Sequence, residues 1–154
     1  MKLSTRGRYA VMAMADLAKA GQARPVTLAE IAGRQAIPAA YLEQLFGKLG
    51  RAGLVVGARG PGGGYRLARA PAETHIADIV LAVDEPIKAT RCTDGSAEGC
   101  LMAGERCLTH DLWEELGRQI HGFLAEVTLA DVIEKRVRGR AGTRAEARAP
   151  AIAR

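Results

Sequence analysis

Aromatic residues are scarce in this chain. Its 154 residues include one Trp, three Tyr and two Phe, or 4 %. That is too few for one large aromatic core, and helices packed through Leu, Ile, Val and Ala are the expected interior. Cysteine is scarcer still. Three is an odd count that does not close into a disulfide framework and suits a metal site or free thiols. No uncharged stretch approaches the roughly 20 apolar residues of a membrane-spanning helix. The opening Met1-Lys2-Leu3-Ser4-Thr5-Arg6 lacks the apolar segment and small-residue cleavage site of a secretory signal. A cytoplasmic protein with no membrane partner is the expectation. Also missing is a catalytic set: no Ser–His or Cys–His nucleophile falls on a regular element, and no paired carboxylates share a pocket. Enzyme chemistry is not expected. What remains, at 48 % hydrophobic and 25 % charged, is ordinary globular composition and excludes wholesale disorder.

The net charge of +5 conceals a division along the chain. Residues 1–70 hold eleven Lys/Arg against three Asp/Glu, a net of +8. Residues 71–137 hold six against thirteen, a net of −7, and residues 138–154 hold five Arg against one Glu, a net of +4. A basic first half suggests an anionic partner, with nucleic acid foremost. The Ala/Arg/Gly tail has no sustained apolar face and reads as disordered.

Hydrophobic spacing predicts a mostly α chain with a small β-hairpin. Ser4 or Thr5 caps a helix to about Ala20, with Ala10, Met14, Leu17 and Ala18 on one face and Gly21 ending it. Thr27-Leu28-Ala29-Glu30 is a capping box opening a short helix that Ala36-Ile37-Pro38 breaks. A second helix begins near Pro38, in the first turn, and places Leu42, Leu45, Phe46 and Leu49 on one buried stripe. That pair has the helix-turn-helix layout. Leu54-Val55-Val56, a turn through Arg59-Gly60-Pro61-Gly62-Gly63-Gly64, and Tyr65-Arg66-Leu67 then read as a hairpin, the wing of a winged helix. The glycine run is neither a phosphate loop nor a dinucleotide fingerprint, since no Gly-Lys-Ser/Thr and no helix follows.

Beyond the wing, Thr74 is expected to cap a helix that buries Ile76, Ile79, Val80 and Val83 and ends at Asp84-Glu85-Pro86. From Asp111 a long helix carries Leu112, Leu116, Ile120, Phe123, Leu124 and Val127, and the capping box Thr128-Leu129-Ala130-Asp131 starts a fresh helix to about Arg136. A long amphipathic helix after a small domain needs a partner surface, most simply its copy in a second chain. The expected organisation is a winged helix-turn-helix domain at 1–70, a ligand-bearing loop with dimerisation helices at 71–137, and a basic tail at 138–154.

All three cysteines fall in the loop 89–109, and with His110 they give C-x7-C-x6-C-x2-H. Cysteines among Thr93, Asp94, Gly95, Ser96 and Gly99 point to metal ligation rather than packing. Three Cys and one His make an acceptable zinc set, yet structural zinc sites favour tight knuckles. Wide gaps suit a larger object such as a two-iron, two-sulfur cluster. His75 and His121 read as structural or surface residues. If the helix from Pro38 to Gly50 lies in the major groove, Tyr41, Glu43 and Gln44 are candidate base readers: Gln suits adenine N6/N7, and Glu accepts from cytosine N4. Arg59, beside Gly60 at the turn, is placed to enter the minor groove, with Arg6, Arg8, Lys48, Arg51 and Arg66 as phosphate contacts.

Leu3-Ser4-Thr5-Arg6-Gly7-Arg8-Tyr9-Ala10, Tyr41-Leu42-Glu43-Gln44-Leu45-Phe46, Arg59-Gly60-Pro61-Gly62-Gly63-Gly64-Tyr65, Val83-Asp84-Glu85, Ala89-Thr90-Arg91-Cys92 and Cys107-Leu108-Thr109-His110 together resemble the IscR family. These are bacterial winged-helix regulators of iron–sulfur cluster biogenesis, and the resemblance covers roughly residues 1–136. It implies a homodimer that binds double-stranded operator DNA and holds one 2Fe–2S cluster per subunit on Cys92, Cys100, Cys107 and His110. It also implies cluster-assembly machinery as the donor and cluster-assembly genes repressed by the loaded form. The cluster-free form would bind another operator class, with Glu43 helping to tell the two apart. Zinc-stabilised repressors and nitric-oxide- or redox-sensing relatives are the alternatives, and the Cys-Leu-Thr-His element favours the IscR branch. The cysteine gaps are longer than in well-known members, and Ala39-Ala40 replaces a more polar helix start.

Overall fold

A computed structural model of the chain describes residues 4–90, 99–101 and 104–138. Helix α1 spans Thr5–Ala20, α2 Leu28–Gln35 and α3 Ala39–Arg51. Strands β1 (Val55–Ala58) and β2 (Gly64–Leu67) follow, then a 3₁₀ turn at Pro71–Glu73, α4 (Ile76–Ala82), α5 (His110–Glu126) and α6 (Leu129–Ile133).

The first helix organises the rest. Ser4 caps it, its hydroxyl accepting the Arg6 N–H at 3.2 Å, and Ala10, Ala13, Met14, Leu17 and Ala18 form its buried face. Three of those five are alanines, whose methyl groups allow close helix contacts. Helices α2, α3, α4 and α6 and strand β2 all pack against α1. The buried residues of these elements form one continuous cluster, in which Leu42, Leu45, Phe46 and Leu49 of α3 join Ile79, Val80 and Leu129.

In α2 the capping box is complete: the Thr27 hydroxyl accepts the Glu30 N–H, and the Glu30 carboxylate accepts the Thr27 N–H. Ala36 closes α2 at φ +53, and the three-residue turn it begins leads into α3. The wing pairs antiparallel, Val55 opposite Leu67 through Ala58 opposite Gly64. A short third edge comes from Val26, which exchanges both backbone hydrogen bonds with Tyr65 at 2.7 and 3.0 Å. Gly64 makes this approach possible, since its φ is +149 and a Cβ there would lie 2.5 Å from the Val26 carbonyl oxygen. The Tyr65 ring meets Phe46 edge-on at 4.9 Å, tying the wing to α3.

The structure shifts several boundaries expected from the sequence. Pro38 is the N-cap of α3 rather than its first residue, because its ψ of 131° is still extended. Thr74 does not cap α4: it is buried and donates its hydroxyl to the Ala70 carbonyl at 3.1 Å, while His75 takes the N-cap position without a side-chain bond. Helix α4 stops at Ala82, before Asp84-Glu85-Pro86, and α5 begins at His110. Helix α6 ends at Ile133, three residues early, with Lys135 at φ +56 just beyond it. Cys92 and the tail from 139 lie outside the described residues.

Gly47 sits on the exposed face of α3, where an added Cβ would meet no atom within 4 Å. Gly47→Ala should therefore stabilise the fold by about 0.5–1 kcal/mol, read from urea midpoints at unchanged slope.

Candidate nucleic-acid interface and metal centre

Helix α3 presents a continuous outward stripe. Ala40, Glu43, Gln44, Gly47 and Arg51 are exposed at helical spacing, opposite the buried leucines. Glu43 and Gln44 thus face solvent near the helix start. Tyr41 is different: half-buried, it packs edge-on against Tyr9 of α1 at 5.9 Å, so its ring also serves the α1–α3 contact. Arg59 and Gly60 stand exposed at the wing turn, Gly60 at φ +91.

The candidate phosphate cations fall into two groups. Arg8, Arg51 and Arg66 make no salt bridge among the described residues, and neither does Arg59, the candidate minor-groove cation. Two others are engaged by the acidic half of the chain. Lys48 donates to Asp84 at 2.7 Å, and Arg6 lies 3.7 Å from Glu85. The hydrogen bond and charge of Lys48 hold the Asp84 carboxyl below its usual range. For Glu85, burial pushes the pKa up, but hydrogen bonds from the Ser4 hydroxyl and N–H and the charge of Arg6 outweigh it, leaving the carboxyl below its usual range. Sequence reasoning assigned neither Asp84 nor Glu85 a role. Their place at the end of α4 read only as helix termination, and no local pattern pointed to partners 36 and 81 residues away.

The described part of the cysteine loop converges on the start of α5. Gly99 and Leu101 donate to the carbonyls of Gly104 and Glu105 at 3.1 and 3.0 Å, and this turn carries Cys100 to His110. The Cys100 Sγ stands 3.1 Å from His110 Nδ1, and His110 is only 7 % exposed. Cys107 precedes α5 by one turn: its carbonyl accepts the His110 N–H at 3.0 Å, and its Sγ lies 3.6 Å from the Thr109 hydroxyl. A second donor set overlaps this one, with His110, Asp111 and Glu114 offering ligand atoms within 4.8 Å of one another. Just ahead of Cys92 the chain lies close over α5, where a Cβ on buried Gly117 would come within 3.3 Å of the Ala89 nitrogen. Among the described residues no helix is long and apolar enough to cross a membrane.

A helix-turn-helix whose outer face is free, followed by a basic glycine-turned wing, defines a DNA-binding transcriptional regulator. The chain belongs to the Rrf2 family, described as iron-dependent transcriptional regulators, which matches residues 3–135. The HTH-type transcriptional regulator IscR of Serratia proteamaculans (strain 568) is 50 % identical over 133 residues, 86 % of this chain and 79 % of that one. IscR of Photorhabdus laumondii is 49 % identical over the same length and shares. Among solved structures, T. potens IscR is similar with a TM-score of 0.71 at 38 % identity, covering 88 % of each chain. CymR, the global cysteine regulator of B. subtilis, is similar with a TM-score of 0.73 at 31 % identity, covering 88 % of this chain and 98 % of that one. The expected family and the winged helix are thereby found, and the relatives are regulators rather than enzymes.

Removing the wing cation tests the interface. Arg59→Ala should weaken binding to every operator duplex and reduce the salt slope of log K by about one, measured by fluorescence anisotropy across a salt series. Unchanged affinity and slope in a folded variant would remove the wing from the interface.

Proposed function

We propose that the chain is a homodimeric repressor that reads iron–sulfur status through one 2Fe–2S cluster per subunit, held by Cys92, Cys100, Cys107 and His110. Cluster-assembly machinery is the donor, and genes for cluster assembly are the main target. The observation that carries this reading is the Cys100–His110 pair. Two ligands of one tetrahedral metal, at bonds of about 2.3 Å to sulfur and 2.0 Å to nitrogen, stand about 3.5 Å apart. The Cys100 thiol and the buried His110 imidazole at the start of α5 are 3.1 Å apart, so a small outward movement of either fits them to one metal. Cys107, half-buried one turn before α5, is a third soft donor close in sequence, its Sγ beside the Thr109 hydroxyl at 3.6 Å.

When bound, the cluster would supply a redox-sensitive, oxygen-sensitive centre whose presence reports supply. The residues of the chain do the remainder. His110 orients the first turn of α5, Cys100 and Cys107 fix the loop on it, and the exposed stripe of α3 reads DNA. Dimerisation has its own support in α5, which exposes Leu112 at 61 %, Trp113 at 43 % and Phe123 at 40 % while packing within the chain on α4. Such a face is stable in water when a second copy covers it.

A mononuclear divalent ion is the second reading, and it rests on the His110, Asp111 and Glu114 set. Anaerobic purification separates the two. The cluster reading predicts a coloured protein with iron and sulfide in equal amounts, and His110→Cys should lower its reduction potential, since thiolate adds negative charge where imidazole is neutral. Colourless protein holding one equivalent of zinc, or a potential indifferent to His110→Cys, would contradict it.

A further inference from the structure

The segment between α4 and the cysteine loop touches two elements of the DNA-binding half at once. Asp84, at φ +56, reaches α3, where its carboxylate accepts from Lys48 at 2.7 Å. The next residue turns inward. Glu85, 8 % exposed, accepts the Ser4 N–H at 3.0 Å and the Ser4 hydroxyl, with the Arg6 guanidinium beside it. Ser4 is the N-cap of α1, so Glu85 is fixed to the central helix while Asp84 is fixed to the recognition helix. Cys92 follows seven residues later.

We propose that Asp84 is a specificity-determining positioning residue, whose ion pair with Lys48 transmits the state of residues 92–110 to the pose of α3 and so to the choice of operator. The inference rests on the cluster-sensing reading above and names the route by which it acts. Lys48 lies one helical turn after Gln44 and five residues after Glu43, so a tether at Lys48 sets the roll of the helix that presents both. Asp84 is suited to discrete switching. The left-handed region is a narrow well for a non-glycine residue, and leaving it swings the carboxylate away from α3. Glu85 is suited to anchoring, because moving it would strand a buried carboxylate from its donors. The Lys48 and Asp84 side chains are 28 % and 72 % exposed, so solvent screens the pair. It contributes little to stability while still biasing the helix.

Asp84→Asn tests this with little risk to the fold, since Asn tolerates a positive φ and the variant removes only the charge. Duplexes are first selected from a random pool by the loaded protein and by the triple Cys92→Ala, Cys100→Ala, Cys107→Ala protein. The readout is the affinity of each form for the loaded-selected duplex, expressed as loaded over cluster-free. Asp84→Asn should lower that ratio about threefold or more, with cluster absorbance unchanged. Asp84→Gly, which also suits the backbone and removes the acceptor altogether, should lower it at least as far. In a Lys48→Gln background, Asp84→Asn should have no further effect. An unchanged ratio in both Asp84 variants, or an equal fall in the Lys48→Gln background, would overturn the assignment while leaving cluster sensing intact. A ratio of one in the unmodified protein would overturn the sensing reading and this inference with it.

Discussion

The close packing of other elements on α1 is the constraint on which everything else depends. Ala10, Ala13 and Ala18 leave room for α2, α3, α4 and α6 to pack closely against it. Met14 and Leu17, fully buried, fill what the alanines leave, each contributing about 1.5–3 kcal/mol of burial. Because α3 and α4 both pack on this helix, the DNA-reading helix and the helix leading into the cysteine loop share a single core. A bulkier residue at Ala13 would have to push them apart, since a close-packed interior transmits such a change instead of absorbing it.

Charge follows the same geometry. The basic excess of the first half is not uniformly free. Acids just after α4 engage Lys48 and Arg6, while Arg8, Arg51, Arg59 and Arg66 make no salt bridge among the described residues. The cations available for phosphate therefore extend from α1 to the wing. Lys48 and Arg6 are instead held within the chain by these acids. A screened pair such as Lys48–Asp84 can exchange between these two uses at small cost, which a buried pair could not.

Much of this was legible from residue spacing. The capping boxes Thr27/Glu30 and Thr128/Asp131 formed as read, because each needs only local backbone geometry. The leucine stripe of α3 and the glycine turn of the wing were equally local. Thr74 misled because a hydroxyl before an apolar run reads as a cap, whereas burial beside the 3₁₀ turn gave it the Ala70 carbonyl instead. The Val26 edge of the wing was invisible, since a single bridging residue has no periodicity. At the site, the candidate donors Cys100, Cys107 and His110 were named from their spacing in one loop, but the approach of Cys100 to His110 depends on a turn closed by Gly99 and Gly104. The Ser4–Glu85 contact joins residues 81 apart and leaves no trace in local pattern.

The central claim is that operator choice depends on what residues 92–110 hold, with Glu43 as the reader that responds. Glu43 stands exposed on α3, where a carboxylate repels phosphate and is accommodated by a donor such as cytosine N4. The most direct measurement is the binding of the triple cysteine-to-alanine protein, with and without Glu43→Ala, to matched duplexes differing only at the base pair facing position 43, at one fixed salt concentration. The account predicts that Glu43→Ala admits the cluster-free protein to duplexes otherwise bound only by the loaded form, with little change in overall affinity. Identical discrimination with and without the glutamate would contradict it.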